Sequence, residues 1–164
     1  MSFYSVTNPA NSQVRDPVQQ NARNFHFIQR GYHQAQEIDA GSGIDITYTP
    51  LQLIQAWILR TPDAASNDTT PTAADILTGL RADLLKISNG APYPVKNGFW
   101  WDFGIYNEGT DEITLNPGAG VVFGVPTTFS VPATKSVWFR ITITDVTEGA
   151  EEAYVTQLSS PALP

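Results

Sequence analysis

The sequence predicts an all-β fold: a jelly-roll-like β-sandwich of about eight strands, with one short helix and an extended N-terminal arm. Three observations predict it. From residue 97 onward, short runs that alternate apolar and polar residues recur every 8–12 residues or so, divided by Gly, Pro and Asn turns, as in sandwiches and jelly rolls. Helical and strand patterns do not alternate, which argues against a doubly wound sheet. The first 36 residues show no sustained period and are rich in Asn and Gln. The 164-residue chain therefore divides into an arm, residues 1–36, and a body, residues 37–164.

The arm carries Phe3, Tyr4, Phe25, Phe27, Ile28 and Tyr32 as spaced apolar anchors, with Pro9 and Pro17 between them. Plain linkers seldom hold so many aromatics. Such a segment suits docking on a partner, and Asn24–Gln29 has the pattern to add an edge strand there. A tail without fixed structure is the plainer alternative. In the body, Gly41-Ser42-Gly43 reads as a turn and Ile44–Tyr48 as a half-buried strand. Thr49-Pro50 suits the cap and first position of one short helical turn. Leu53–Arg60 is apolar enough for a buried strand, and Ala64–Thr70 reads as a polar loop. The clear helix runs from Pro71 to about Leu85. Thr72 and Asp75 stand at capping-box spacing, and Ile76, Leu77, Leu80 and Leu84 share one face. Strands follow at 99–106, 112–116, 121–123, 127–131, 136–144 and 153–158. Phe99, Trp101, Phe103 and Ile105 point one way in the first, and Val137, Phe139, Ile141 and Ile143 in the fifth.

Charge narrows the partners. The chain has a net charge of −7, unevenly placed. The arm holds Arg15, Arg23 and Arg30 against Asp16, a net of +2, and the body holds six basic and fifteen acidic residues, a net of −9. An acidic body disfavours nucleic acid as a partner. A mildly basic arm is able to dock on a like acidic body, although three arginines in such a stretch also arise by chance. There is no cysteine, so disulfides, thiolate metal sites and cysteine nucleophiles are excluded. The opening residues lack the basic and apolar regions of a secretory signal, and no apolar run is long enough to span a membrane. The expectation is synthesis in a cytosol.

Chemistry is sparse. Asp111-Glu112 and Glu151-Glu152 sit in turns, where solvated charge is the ordinary reading. Asp102 lies within the densest aromatic run, on the face opposite Phe99 and Trp101. A ligand contact and a solvent or interface position both fit it. The two histidines, His26 and His33, fall in the arm, and no third metal ligand accompanies them. No Gly-x-Ser-x-Gly elbow and no phosphate loop is present. We expect no enzyme, no catalytic residues, no metal and no cofactor. The aromatic load is the stronger signal. Trp100 and Trp138 alternate onto the face opposite the apolar set, a position that suits a subunit interface, a second core layer or a sugar platform.

Two segments carry a resemblance. One is Ile58-Leu59-Arg60-Thr61-Pro62, running on through a polar loop to Pro71-Thr72-Ala73-Ala74. The other is Asn107-Glu108-Gly109-Thr110-Asp111-Glu112-Ile113-Thr114-Leu115, running on to Gly118-Ala119-Gly120-Val121. In order and spacing they resemble small virion proteins of tailed phages, specifically capsid decoration or cement proteins. The likeness spans roughly residues 44–144 and leaves out the arm. It implies a structural virion protein that binds and stabilises the capsid shell. It further implies a jelly-roll-like body, a homotrimer, the major capsid protein as partner, and a place on the capsid surface of particles assembled in the host cytoplasm. The interface residues we expect are Phe3, Tyr4, Arg15, Arg23, Phe25, Phe27, Ile28, Arg30 and Tyr32 in the arm, with Trp100 and Trp138 in the body. Another virion module, such as a fibre, vertex or receptor protein facing a host glycan, is the alternative.

Overall fold

The computed structural model describes residues 38–39, 41–54, 57–87 and 94–159. The arm residues singled out above, and both histidines, lie outside the described residues. What is described is an all-β sandwich with two helices. Nine strands form two sheets: β1 (Ile38–Asp39), β2 (Trp57–Arg60), β3 (Ser66–Thr69), β4 (Trp100–Asn107), β5 (Ile113–Asn116), β6 (Val121–Phe123), β7 (Phe129–Val131), β8 (Lys135–Asp145) and β9 (Glu152–Ser159). The larger sheet has the order β1-β2-β4-β8-β9-β6, and the smaller one β3-β5-β7. The helices are α1 (Pro50–Ile54) and α2 (Ala73–Ile87).

The core lies between the layers. Phe129 on β7 reaches from the small sheet to Phe123 on β6 and Phe139 on β8, with ring centroids 4.7 and 5.4 Å apart. Phe139 continues to Phe103 on β4 at 5.1 Å. Beyond the small sheet, α1 and α2 close the same inner face. Trp101 donates its indole N–H to the Leu53 carbonyl at 3.0 Å, fastening α1 over β4. Ile76, Leu77, Leu80 and Leu84 of α2 are all buried. The alternation expected for β4 and β8 holds. Trp101, Phe103, Ile105, Val137, Phe139, Ile141 and Ile143 are buried, and the residues between them face outward.

Four readings of the sequence are corrected. Ile44–Tyr48 is not a strand, and only Thr47 bridges, to Thr69. Asp45 has φ +54°, a left-handed conformation that ends extended pairing, and its carboxylate accepts the Asn67 amide at 2.7 Å. Leu53–Arg60 is not one strand, because α1 takes its first two residues. Thr49 and Gln52 form a reciprocal cap, with the Thr49 amide donating to Gln52 Oε1 at 2.7 Å and the Gln52 amide to Thr49 Oγ1 at 3.3 Å. The expected loop at 64–70 contains β3. Finally, the pairings are mixed: β1–β2, β2–β4, β3–β5 and β6–β9 are parallel. The double Greek key of a jelly roll is antiparallel, so the connectivity here is that of a mixed sandwich.

Candidate functional site

Two side-chain constellations stand out, one sealed in the core and one facing outward. The sealed one centres on Arg60, the last residue of β2, and Asp68 on β3, both without solvent exposure. Arg60 meets the carboxylate with two nitrogens, Nε to Oδ2 at 2.8 Å and Nη2 to Oδ1 at 3.0 Å. Ser66 donates to Asp68 Oδ1 and Tyr48 to Oδ2, each at 2.6 Å. Arg60 also donates Nη1 to the Gly41 carbonyl, and Nη2 to that of Gly43 at 2.7 Å. Burial, reinforced by the Asp68 carboxylate, lifts the Tyr48 hydroxyl well above the usual phenol range. Burial pulls the Arg60 guanidinium down, but its bonds to Asp68 outweigh that and leave it raised. With both charges paired, this network is a clamp. It fixes the chain at Gly41–Gly43 to β2 and β3. Among the described residues its polar groups are directed at one another and at the backbone, away from solvent.

The outward constellation covers the other face of the larger sheet. In the register β2–β4–β8, Trp57 stands beside Gly104 and Gly104 beside Trp138. Glycine leaves that spot bare, and the rings fill it. A Cβ at Gly104 would lie 2.7 Å from the Trp57 ring and 3.3 Å from that of Trp138. Trp57 and Trp138 centroids are 5.2 Å apart, and Tyr106 stacks on Trp57 at 6.4 Å with an interplanar angle of 23°. Toward the other end of β4, Asp102 faces Arg140 directly across the strands. They form a two-pronged ion pair at 2.7 and 3.0 Å, and Arg140 lies over the Trp100 ring at 3.8 Å. The pair is about one-third exposed, so it contributes at most about 1 kcal/mol. The pair holds the Arg140 guanidinium above its ordinary value.

The result is a belt of three indoles and a phenol, braced by one neutral ion pair. Trp100 and Trp138 stand where the sequence placed them, on the outward face, and Asp102 is held there by Arg140. The strand pairings bring in Trp57, Tyr106 and Arg140, which sequence reasoning had not joined to them. Trp57 and Trp138 are far apart in the chain, and only the sheet order makes them neighbours. An open cleft of about 390 Å³ at the sandwich edge is lined by Thr128, Phe129, Ser130 and Gln157, with Glu112 as its one ionisable residue. Among the described residues no group of three His, Cys, Asp or Glu side chains is placed to hold a metal ion. No family model, curated protein or solved structure matches the chain.

Proposed function

We propose that this chain is a structural virion protein of the capsid decoration type, which attaches to the particle shell and reinforces it through subunit contacts. The observation that carries the reading is the outward belt Trp57–Tyr106–Trp138, continued by Trp100 under Arg140. Interface cores are enriched in aromatic residues and arginine and depleted in unpaired charge, and this face has that composition. The resemblance in the segments ending at Pro71–Ala74 and Gly118–Val121 supplies the particle context, and the basic, aromatic residues 1–36 supply a second contact element. The major capsid protein and further copies of this chain are the partners in this reading.

The test is to purify particles from cells that express the gene in its native genome, and to measure copies of the chain per particle. Saturable, even occupancy that is lost with Trp138→Ser supports the reading, and particles without the chain sink it. A second reading is a receptor module that meets a host glycan, favoured by the grouping of the Trp57, Tyr106 and Trp138 rings on one sheet face. Binding to a glycan array that disappears with Trp57→Ala would favour this second reading over decoration.

A further inference from the structure

We infer that the outward face of the larger sheet is a self-association surface, occupied by the same face of a second copy. The inference deepens the decoration reading and rests on it only for the contact's biological setting. The contact itself requires nothing but this chain.

Three observations converge. The first is charge. Residues 37–164 carry a net charge of −9, which makes most approaches of two bodies repulsive. Among the described side chains, the outward strand positions carry Asp102 and Arg140, which neutralise one another, and at one end Asp145 and Glu152, which stand opposite each other on β8 and β9. The aromatic centre of this face, from Trp57 to Trp100, is thus neutral within an acidic body, and its acidic pair lies at the rim, so two like molecules meet there with the least charge repulsion. The second is area. β4 has eight residues and the sheet has six strands. The strands range from two residues in β1 to eleven in β8, and at about 3.3 Å per residue and 4.8 Å per strand they cover roughly 570 Å². Two such faces bury on the order of 1,100 Å², just above the roughly 1,000 Å² that a specific interface needs. The third is anchoring. Trp57, Tyr106 and Trp138 are pre-packed against one another across three strands, so little side-chain freedom remains to be lost on association.

A face that meets its own copy makes a two-fold, isologous contact, which closes as a dimer. The two sheets would stack about 10 Å apart, with the indoles of one seated against the belt of the other. The trimer implied by the resemblance needs a different surface.

The experiment is sedimentation equilibrium of the full chain from low micromolar to several hundred micromolar, with hydroxyl-radical footprinting of the tryptophans at both ends of that range. The expected mass rises from 17.9 kDa toward twice that value, and oxidation of Trp57 and Trp138 falls as it does. Two variants locate the contact. Trp138→Ser removes a central ring, and Thr142→Arg adds a charge to the outward face while keeping every ring. Each should weaken association about thirtyfold or more, as loss of a central anchor does. Far-UV circular dichroism of both variants confirms folding, and Thr142→Arg carries the test alone if Trp138→Ser does not fold. A monomer across the whole range overturns the inference. So does a mass of three chains, or a folded Thr142→Arg variant that associates as tightly as the parent. A monomer whose tryptophans still resist oxidation also overturns it, and points to residues 1–37 of the same chain as the cover. Self-association without particle binding would sink the decoration reading and leave this inference standing.

Discussion

A guanidinium and a carboxylate with no solvent exposure persist only because each finds its full set of partners. Arg60 satisfies Asp68 twice and two backbone carbonyls besides, while Ser66 and Tyr48 fill the remaining sites on the carboxylate. Removing one partner is therefore far worse than removing both. Arg60→Met leaves Asp68 charged and unpaired in the core and should cost about 3–5 kcal/mol in urea unfolding. Arg60→Met combined with Asp68→Leu should recover part of that loss, and a double variant no more stable than the single one would show that the charge is not what matters. Tyr48 gives the same cluster a pH signature. Its folded-state pKa lies above the ordinary 10.0, so the folded chain holds the phenol proton more tightly than the unfolded chain. Its contribution to stability is complete below pH 10.0 and is lost as pH rises beyond that value. Tyr48→Phe should lower stability by about 1.5–3 kcal/mol at neutral pH, because a bond to a charged group is lost. It should also flatten the decline above pH 10.0 relative to the parent, read as unfolding midpoints across an alkaline series.

At the scale of elements, legibility in the sequence follows locality. The helix after Pro71 was readable because cap and stripe lie within one short segment. Thr72 Oγ1 accepts the Asp75 amide at 3.1 Å and donates to its carboxylate at 2.7 Å, as the spacing implied. Thr72→Ala should cost about 1 kcal/mol, measured by thermal unfolding. The strands β4 and β8 were readable because their alternation is local too. β3 was not. Its inward positions are Ser66 and Asp68, polar because their partner is Arg60 on another strand, so the hydrophobic period that marks a strand is missing. The start of Leu53–Arg60 misled for a related reason, since a short apolar run suits strand and helix equally until the Thr49–Gln52 cap decides. The outward belt was half legible. Alternation placed Trp100 and Trp138, but their link to Trp57 depends on the parallel pairing of β2 with β4 and on a glycine at the crossing. Gly104→Ala probes that crossing directly. The added methyl meets the Trp57 ring at 2.7 Å, so the indole must swing away, and overpacking of this kind costs about 1–3 kcal/mol. A red shift in tryptophan emission should accompany the loss, and unchanged emission would mean that the ring does not rest on the glycine.

For the whole molecule, the question is how the body and residues 1–36 divide the work. The buried apolar cluster of the described residues draws on Tyr48 through Val155, and the chain is fixed at Gly41 and Gly43 by Arg60. The described core is therefore tied to the chain from Gly41 onward. The preceding residues carry the basic charge, with Arg15, Arg23 and Arg30 against Asp16, and the aromatics Phe3, Tyr4, Phe25, Phe27 and Tyr32. If they serve attachment, deleting residues 1–36 separates the two properties. The truncated chain should unfold within a few degrees of the parent, because no residue of the described core has been removed. Its affinity for particles should fall, and should lose most of its dependence on salt, because the lost arginines are the component that salt screens. Co-sedimentation with particles stripped of the native chain, at low and moderate ionic strength, measures both. Equal binding by truncated and full chains would assign attachment to the body, leaving its outward belt to hold the particle unaided.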